Sequence, residues 1–170
     1  GIVIDESVVK RVDLARIGFG QSVAVTPIQL LTAACSVING GKLLQPYVVK
    51  EITSESGEVI ERGETVVRGT TISEETSATM RQLLQNVVTE GGGRNAYIEG
   101  YRVGGKTGTA QVYVDGAIST DKHIGSFIGF APMDDPQIAV LFIVDEADVA
   151  VDFGSTTAAP FARDILEQSL

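Results

Sequence analysis

Gly105-Lys106-Thr107-Gly108-Thr109-Ala110-Gln111-Val112-Tyr113-Val114 is the stretch that decides how this chain folds. Read from Gly100, the run Gly100-x4-Gly105-Lys106-Thr107 satisfies the phosphate-loop pattern G-x-x-x-x-G-K-[ST]. Val140–Val144 followed by Asp145-Glu146 resembles the strand-plus-acid that holds Mg²⁺ beside such a loop. A phosphate loop, however, follows a buried strand and opens directly into a helix whose N-terminal amides bind the anion. Here the lysine leads into a Thr- and Val-rich β-like run with Gly108 inside it, and polar, glycine-rich Gly91–Glu99 stands before it. The flanks favour an extended strand over 101–114. A phosphate-loop nucleotide-binding protein stays as the alternative.

Downstream, Ile124–Phe130 and Gln137–Val144 read as strands joined by Ala131-Pro132-Met133-Asp134-Asp135-Pro136, which has loop chemistry. Thr157 is placed to cap a final helix carrying Phe161, Ala162, Ile165 and Leu166 inward. The last third therefore reads strand, strand, strand, helix, giving an α+β fold with an antiparallel sheet packed with helices.

Upstream, Ser73 starts a helix with Glu74 and Glu75 favourable in its first turn. Met80, Leu83, Leu84, Val87 and Val88 form its inward stripe, and Gly91-Gly92-Gly93 ends it. Leu43–Ile52 and Glu58–Arg62 read as a hairpin around Ser56-Gly57. Thr26 as N-cap and Pro27 at the first helical position start another helix, stopped by Asn39-Gly40-Gly41. Residues 1–25 read as a connector, and the abrupt start at Gly1 as a cut edge.

At 170 residues the chain fits one domain with a real core. Its net charge of −9 argues against nucleic acid as a partner and against a surface held on anionic lipid. The longest apolar run, Ile138–Val144, is far short of the roughly 20 residues that span a bilayer. One cysteine, Cys35, and one histidine, His123, leave neither an internal disulfide nor a Cys/His zinc site; Cys35 lies in an apolar helical stretch and reads as core.

Lys106-Thr107-Gly108 also fits the K-T-G element of serine acyl-transferases and β-lactam-binding enzymes. A substrate ending in a carboxylate needs a fixed cation and hydroxyl donors, which Lys106, Thr107 and Thr109 supply. Gly108 removes a side chain where substrate approaches the strand. An exposed strand edge lets a peptide dock as an added strand, and the Thr109 amide is placed to be one of two oxyanion donors.

Beyond this triplet, the chain resembles class B penicillin-binding proteins over nearly its whole length. The match runs through Gly18-Phe19-Gly20-Gln21, Thr26-Pro27-Ile28-Gln29-Leu30-Leu31, Asn39-Gly40-Gly41 with Pro46, and Gly91-Gly92-Gly93. It continues through Gly100–Gln111, Ser126-Phe127-Ile128-Gly129-Phe130-Ala131-Pro132 and Ala159-Pro160-Phe161. The resemblance implies a partial penicillin-binding, serine β-lactamase-like transpeptidase fold. The implied reaction is acyl transfer from a D-Ala-D-Ala stem peptide of peptidoglycan to a neighbouring amine, with β-lactams trapping the serine and no cofactor or metal.

Lys106 and Thr109 are then the catalytic candidates; Thr107, Gly108 and Thr109 bind substrate. The resemblance further implies a parent protein anchored in the cytoplasmic membrane with this domain outside, working with other cell-wall synthesis proteins; the fragment itself reads as soluble. Residues 1–170 are expected to be the C-terminal part of the transpeptidase domain. Ser7-Val8-Val9-Lys10 fits the family's nucleophile motif S-x-x-K, but charged Asp5, Glu6, Lys10, Arg11 and Asp13 surround it, as on a solvated connector. No S-x-N is present. The fragment alone is therefore expected to be inactive, and a non-catalytic β-lactam-binding sensor or scaffold of the same fold stays as a further alternative.

Overall fold

A computed structural model describes residues 1–21, 23–114 and 117–170. Its centre is a three-stranded antiparallel sheet of β5 (Gly104–Val114), β6 (Ala117–Ala131) and β7 (Ile138–Asp145), in that spatial order. Before it come α1 (Arg11–Gly18), α2 (Pro27–Ile38), β1 (Lys42–Leu44), β2 (Glu51–Thr53), β3 (Val59–Arg62), β4 (Val67–Thr70) and α3 (Glu74–Thr89). After it come the short α4 (Gly154–Thr157) and α5 (Ala159–Ser169).

The helix starts follow from their caps. Thr26 Oγ1 accepts from the Gln29 N–H at 3.3 Å while Gln29 Oε1 accepts from the Thr26 N–H at 2.9 Å, a reciprocal capping box. Ser73 Oγ accepts from the Thr76 N–H at 3.1 Å and opens α3. After α2 the chain must turn at once, and Gly41 does so at φ +87° with no room for a side chain, since a methyl there would stand 1.9 Å from the Ile72 carbonyl oxygen.

The strand expected over 43–52 is split. Pro46 has no N–H to give a ladder, so β1 and β2 are separate strands. β1 pairs with β4, a strand the sequence reading missed, and β2 pairs with β3. The two ladders nest into one interrupted hairpin. The connector expected over 1–25 contains helix α1, which has no buried residue.

Register assigns the faces of the central sheet. Thr107 opposes Phe127, which opposes Phe142, so these share one face, and Lys106, Ile128 and Leu141 share the other. On the first face Val103, Phe127 and Ala131 pack with Val88, Ala96, Ile98, Ala158, Ala159, Ala162 and Leu166. On the second, Phe130 packs with Ile38 and Met133, flanked by Leu84 and Ala139. Three inward assignments need correction. Leu83, Phe161 and Ile165 are all exposed. Phe161 stacks on Phe142 with ring centroids 5.2 Å apart, at the margin of the core. Cys35 is half-buried rather than core, and that burial raises its thiol pKa.

Candidate active site

Strand β5 bonds to β6 on one side and pairs with no strand on the other among the described residues. Strand alternation sets Lys106 and Gly108 on the face shared with Ser126 and Ile128, and Thr107 and Thr109 on the face covered by α4 and α5. The K-T-G-T residues thus share one strand but present side chains in two directions. Lys106 and Thr109 are exposed and Thr107 is half-buried.

The Lys106 ammonium curls over the strand and donates to the Thr107 carbonyl at 2.8 Å. That carbonyl is therefore on the open edge. In a β-strand the N–H and C=O of one residue point the same way and alternate along the chain. The N–H groups of Thr107 and Thr109 accordingly face the open edge as well, whereas those of Gly108 turn toward β6. An unpaired amide at Thr109, beside a fixed cation, is a donor placed for an approaching anion.

Thr109 is also tied from behind. The Gly154 N–H donates to Thr109 Oγ1 at 3.2 Å. A hydroxyl has one proton to give, so an oxygen that already accepts from the backbone keeps that proton for another partner. Gly154 fits only because it lacks a side chain: a methyl there would stand 2.2 Å from the Gly108 carbonyl oxygen and 2.4 Å from that of Ser126. On the other face, a methyl on Gly108 would stand 2.5 Å from Ser126 Oγ. The space left open by Gly108 is thus bordered by a hydroxyl, a neighbour that sequence reading missed.

Sequence reading missed a second feature. His123 Nδ1 lies 2.8 Å from Asp152 Oδ2, with the side chains 19% and 16% exposed. The Phe153 ring stands 6.4 Å from the imidazole, centre to centre. Being the single histidine was the only sequence signal for this pair.

Ser7-Val8-Val9-Lys10, the first S-x-x-K, lies outside the central sheet. Ser7 is exposed in a 3-10 turn; its hydroxyl and N–H both donate to Asp5, whose carboxyl they hold below the usual carboxylate range. A second S-x-x-K, Ser119–Lys122, also escaped the sequence reading. It lies within β6, in the irregular stretch between the Tyr113–Ile118 and Gln111–His123 register pairs, and Lys122 pairs with Glu146 at 2.6 Å. The phosphate-loop alternative fails on geometry, because Lys106 is inside β5 and the chain continues as strand to Val114 with no helix to receive a phosphate.

The comparisons agree with this architecture. The family model described as the penicillin binding protein transpeptidase domain matches residues 1–167. Stage V sporulation protein D of Bacillus subtilis (strain 168) is 46% identical over 171 residues, covering 100% of this chain and 26% of that protein. The chain thus spans about a quarter of that relative's length.

Among solved structures, the apo transpeptidase domain of Burkholderia pseudomallei penicillin-binding protein 3 superposes with a TM-score of 0.82 at 29% identity. That match covers 99% of this chain and 49% of the other. Penicillin-binding protein A of M. tuberculosis, solved as a ceftriaxone acyl-enzyme complex, gives 0.84 at 27% identity, covering 93% of this chain and 35% of the other. The α+β fold is that of penicillin-binding transpeptidase domains. A matched family model over almost every residue, together with a K-T-G strand at an open sheet edge, leads to one conclusion: this chain belongs to the penicillin-binding protein transpeptidase domain family.

Proposed function

We propose that residues 1–170 are the C-terminal part of a serine-type D,D-transpeptidase domain and supply the K-T-G wall of its active site. The observation that carries this reading is the Thr109 hydroxyl, tied by the Gly154 amide with its proton left to donate, on an open strand edge beside the Lys106 ammonium. The S-x-x-K serine and the S-x-N residues belong, in this reading, to a part of the parent protein outside these 170 residues. Placement supports it: Ser7 is engaged by Asp5, and Lys122 of the Ser119 motif is paired with Glu146.

The roles follow from the geometry. A stem peptide ending in D-Ala-D-Ala lies along β5, its terminal carboxylate drawn by Lys106 and hydrogen-bonded by Thr107 and Thr109. The serine oxygen attacks the penultimate carbonyl and passes its proton into the network around Lys106, and the Thr109 N–H is one donor to the resulting oxyanion. The terminal D-Ala departs with a proton; an amine of a neighbouring strand then takes the acyl group and releases the serine. β-Lactams enter as donor mimics and stop at the acyl-enzyme. The parent, on this proposal, is anchored in the cytoplasmic membrane, faces outward and works with other cell-wall synthesis proteins. No helix among the described residues is long and apolar enough to cross a membrane.

Intact-mass spectrometry after incubation with benzylpenicillin tests this, using the parent protein with the 170-residue chain as control. A penicilloyl adduct on the parent, mapping outside residues 1–170, is expected, with none on the control. An adduct on Ser7 or Ser119 would overturn the assignment of the nucleophile. A well-folded parent that takes no adduct would overturn the enzymatic reading.

A further inference from the structure

The segment between β7 and α4 has little apolar reason to stay where it is. Val149 is 56% exposed, Val151 49% and Phe153 54%, so burial does not anchor it. Yet it ends at Gly154, whose amide must reach Thr109 and whose backbone lies against Gly108 and Ser126. Two polar contacts bracket that residue. On one side Asp152 meets His123 on β6 at 2.8 Å, and on the other Asn95 Nδ2 donates to the Ser155 carbonyl at 2.7 Å. The Asn95 contact joins an exposed side chain to the backbone. The His123–Asp152 contact joins two largely buried ionisable groups, so it is the stronger constraint where water is excluded.

We propose that His123 and Asp152 are a positioning pair that holds the Gly154 amide on Thr109, and so aims the Thr109 hydroxyl at the carboxylate of the acyl donor. This rests on the transpeptidase reading. Neither residue touches substrate; both act through Gly154. Loss of the pair frees the 146–153 segment, the Gly154 amide leaves Thr109 Oγ1, and the hydroxyl regains rotational freedom.

The test uses the parent protein with His123→Gln, Asp152→Asn and Asp152→Glu, checked first for unchanged melting temperature. β-Lactam acylation rates are measured with the free drug carboxylate and with that carboxylate esterified. Expected with the free carboxylate is a loss of about tenfold in the Gln and Asn variants, below the roughly 10²-fold that a full 1 Å misplacement can cost. The esterified drug, which lacks the group Thr109 is aimed at, should lose much less, and Asp152→Glu should restore most of the rate. Wild-type rates in His123→Gln and Asp152→Asn would overturn the positioning pair alone. An equal rate loss with both forms of the drug and no rescue by Glu would mark a merely structural contact and also overturn it. An unreactive wild type would sink the transpeptidase reading and this role with it.

Discussion

The two faces of the β5–β6–β7 sheet are built from similar sequence but carry different loads. On one, Val103, Phe127 and Ala131 close against Ala158, Ala159, Ala162 and Leu166, and Phe127 and Leu166 are both 0% exposed. On the other, the buried cluster of Ile38, Phe130 and Met133 gathers toward the start of β5 and end of β6. Past it, Lys106 is exposed, Ser126, Ile128 and Leu141 are half-buried, and Ile143 is 38% exposed. A strand backed by close packing cannot shift without opening a void. The closed face therefore fixes β5, and the open face and free edge can present side chains in set positions. Rigidity and access are separated across the thickness of one sheet.

The sharpest break of this contrast is Phe127→Ala. With a fully buried ring removed, unfolding in denaturant should show a loss of about 3–5 kcal/mol; a loss under 1 kcal/mol would mean that the closed face is not the foundation. Lys106→Met on the open side should do the reverse. On the proposed function, acylation of the parent by β-lactam should fall about 10²-fold or more, as for loss of a positioned donor, while the denaturation midpoint stays put. An equal loss of stability would erase the distinction between the faces.

Ser73→Ala removes the cap of α3, which lies along β5, and should cost about 1 kcal/mol in the same denaturation experiment. The smallest effect is expected at Ile143→Thr on the open face, within about 0.5 kcal/mol. A cost there comparable to Phe127→Ala would show that the open face is packed in solution against something further.

Much of the fold was legible because its signals are local. Thr26-Pro27 and Ser73 announce α2 and α3 through caps that need only neighbouring backbone, and Pro132 and Pro136 mark the loop between β6 and β7. The β-like run after Lys106 weighed against a phosphate loop before any contact was known, and the strand over Gly104–Val114 then ruled it out. Errors fell where the outcome depends on distant residues. Leu43–Ile52 looked like one strand, but Pro46 divides it, and the partner of its first part, β4, carries too little apolar pattern to be seen alone. Phe161 and Ile165 fit a helical stripe, yet that stripe is wider than the surface available to cover it.

Sequence alone determined α2, α3, the three strands of the central sheet, the K-T-G-T run on the first of them and the family motifs in their order. Only the tertiary structure decided which edge of β5 stays open, which direction Lys106 and the two threonines take, and what stands behind Thr109. His123 and Asp152 are 29 residues apart, and Thr109 and Gly154 are 45 apart. Local propensity sets the backbone of each segment, but contacts at that separation exist only once register and packing have brought the segments together.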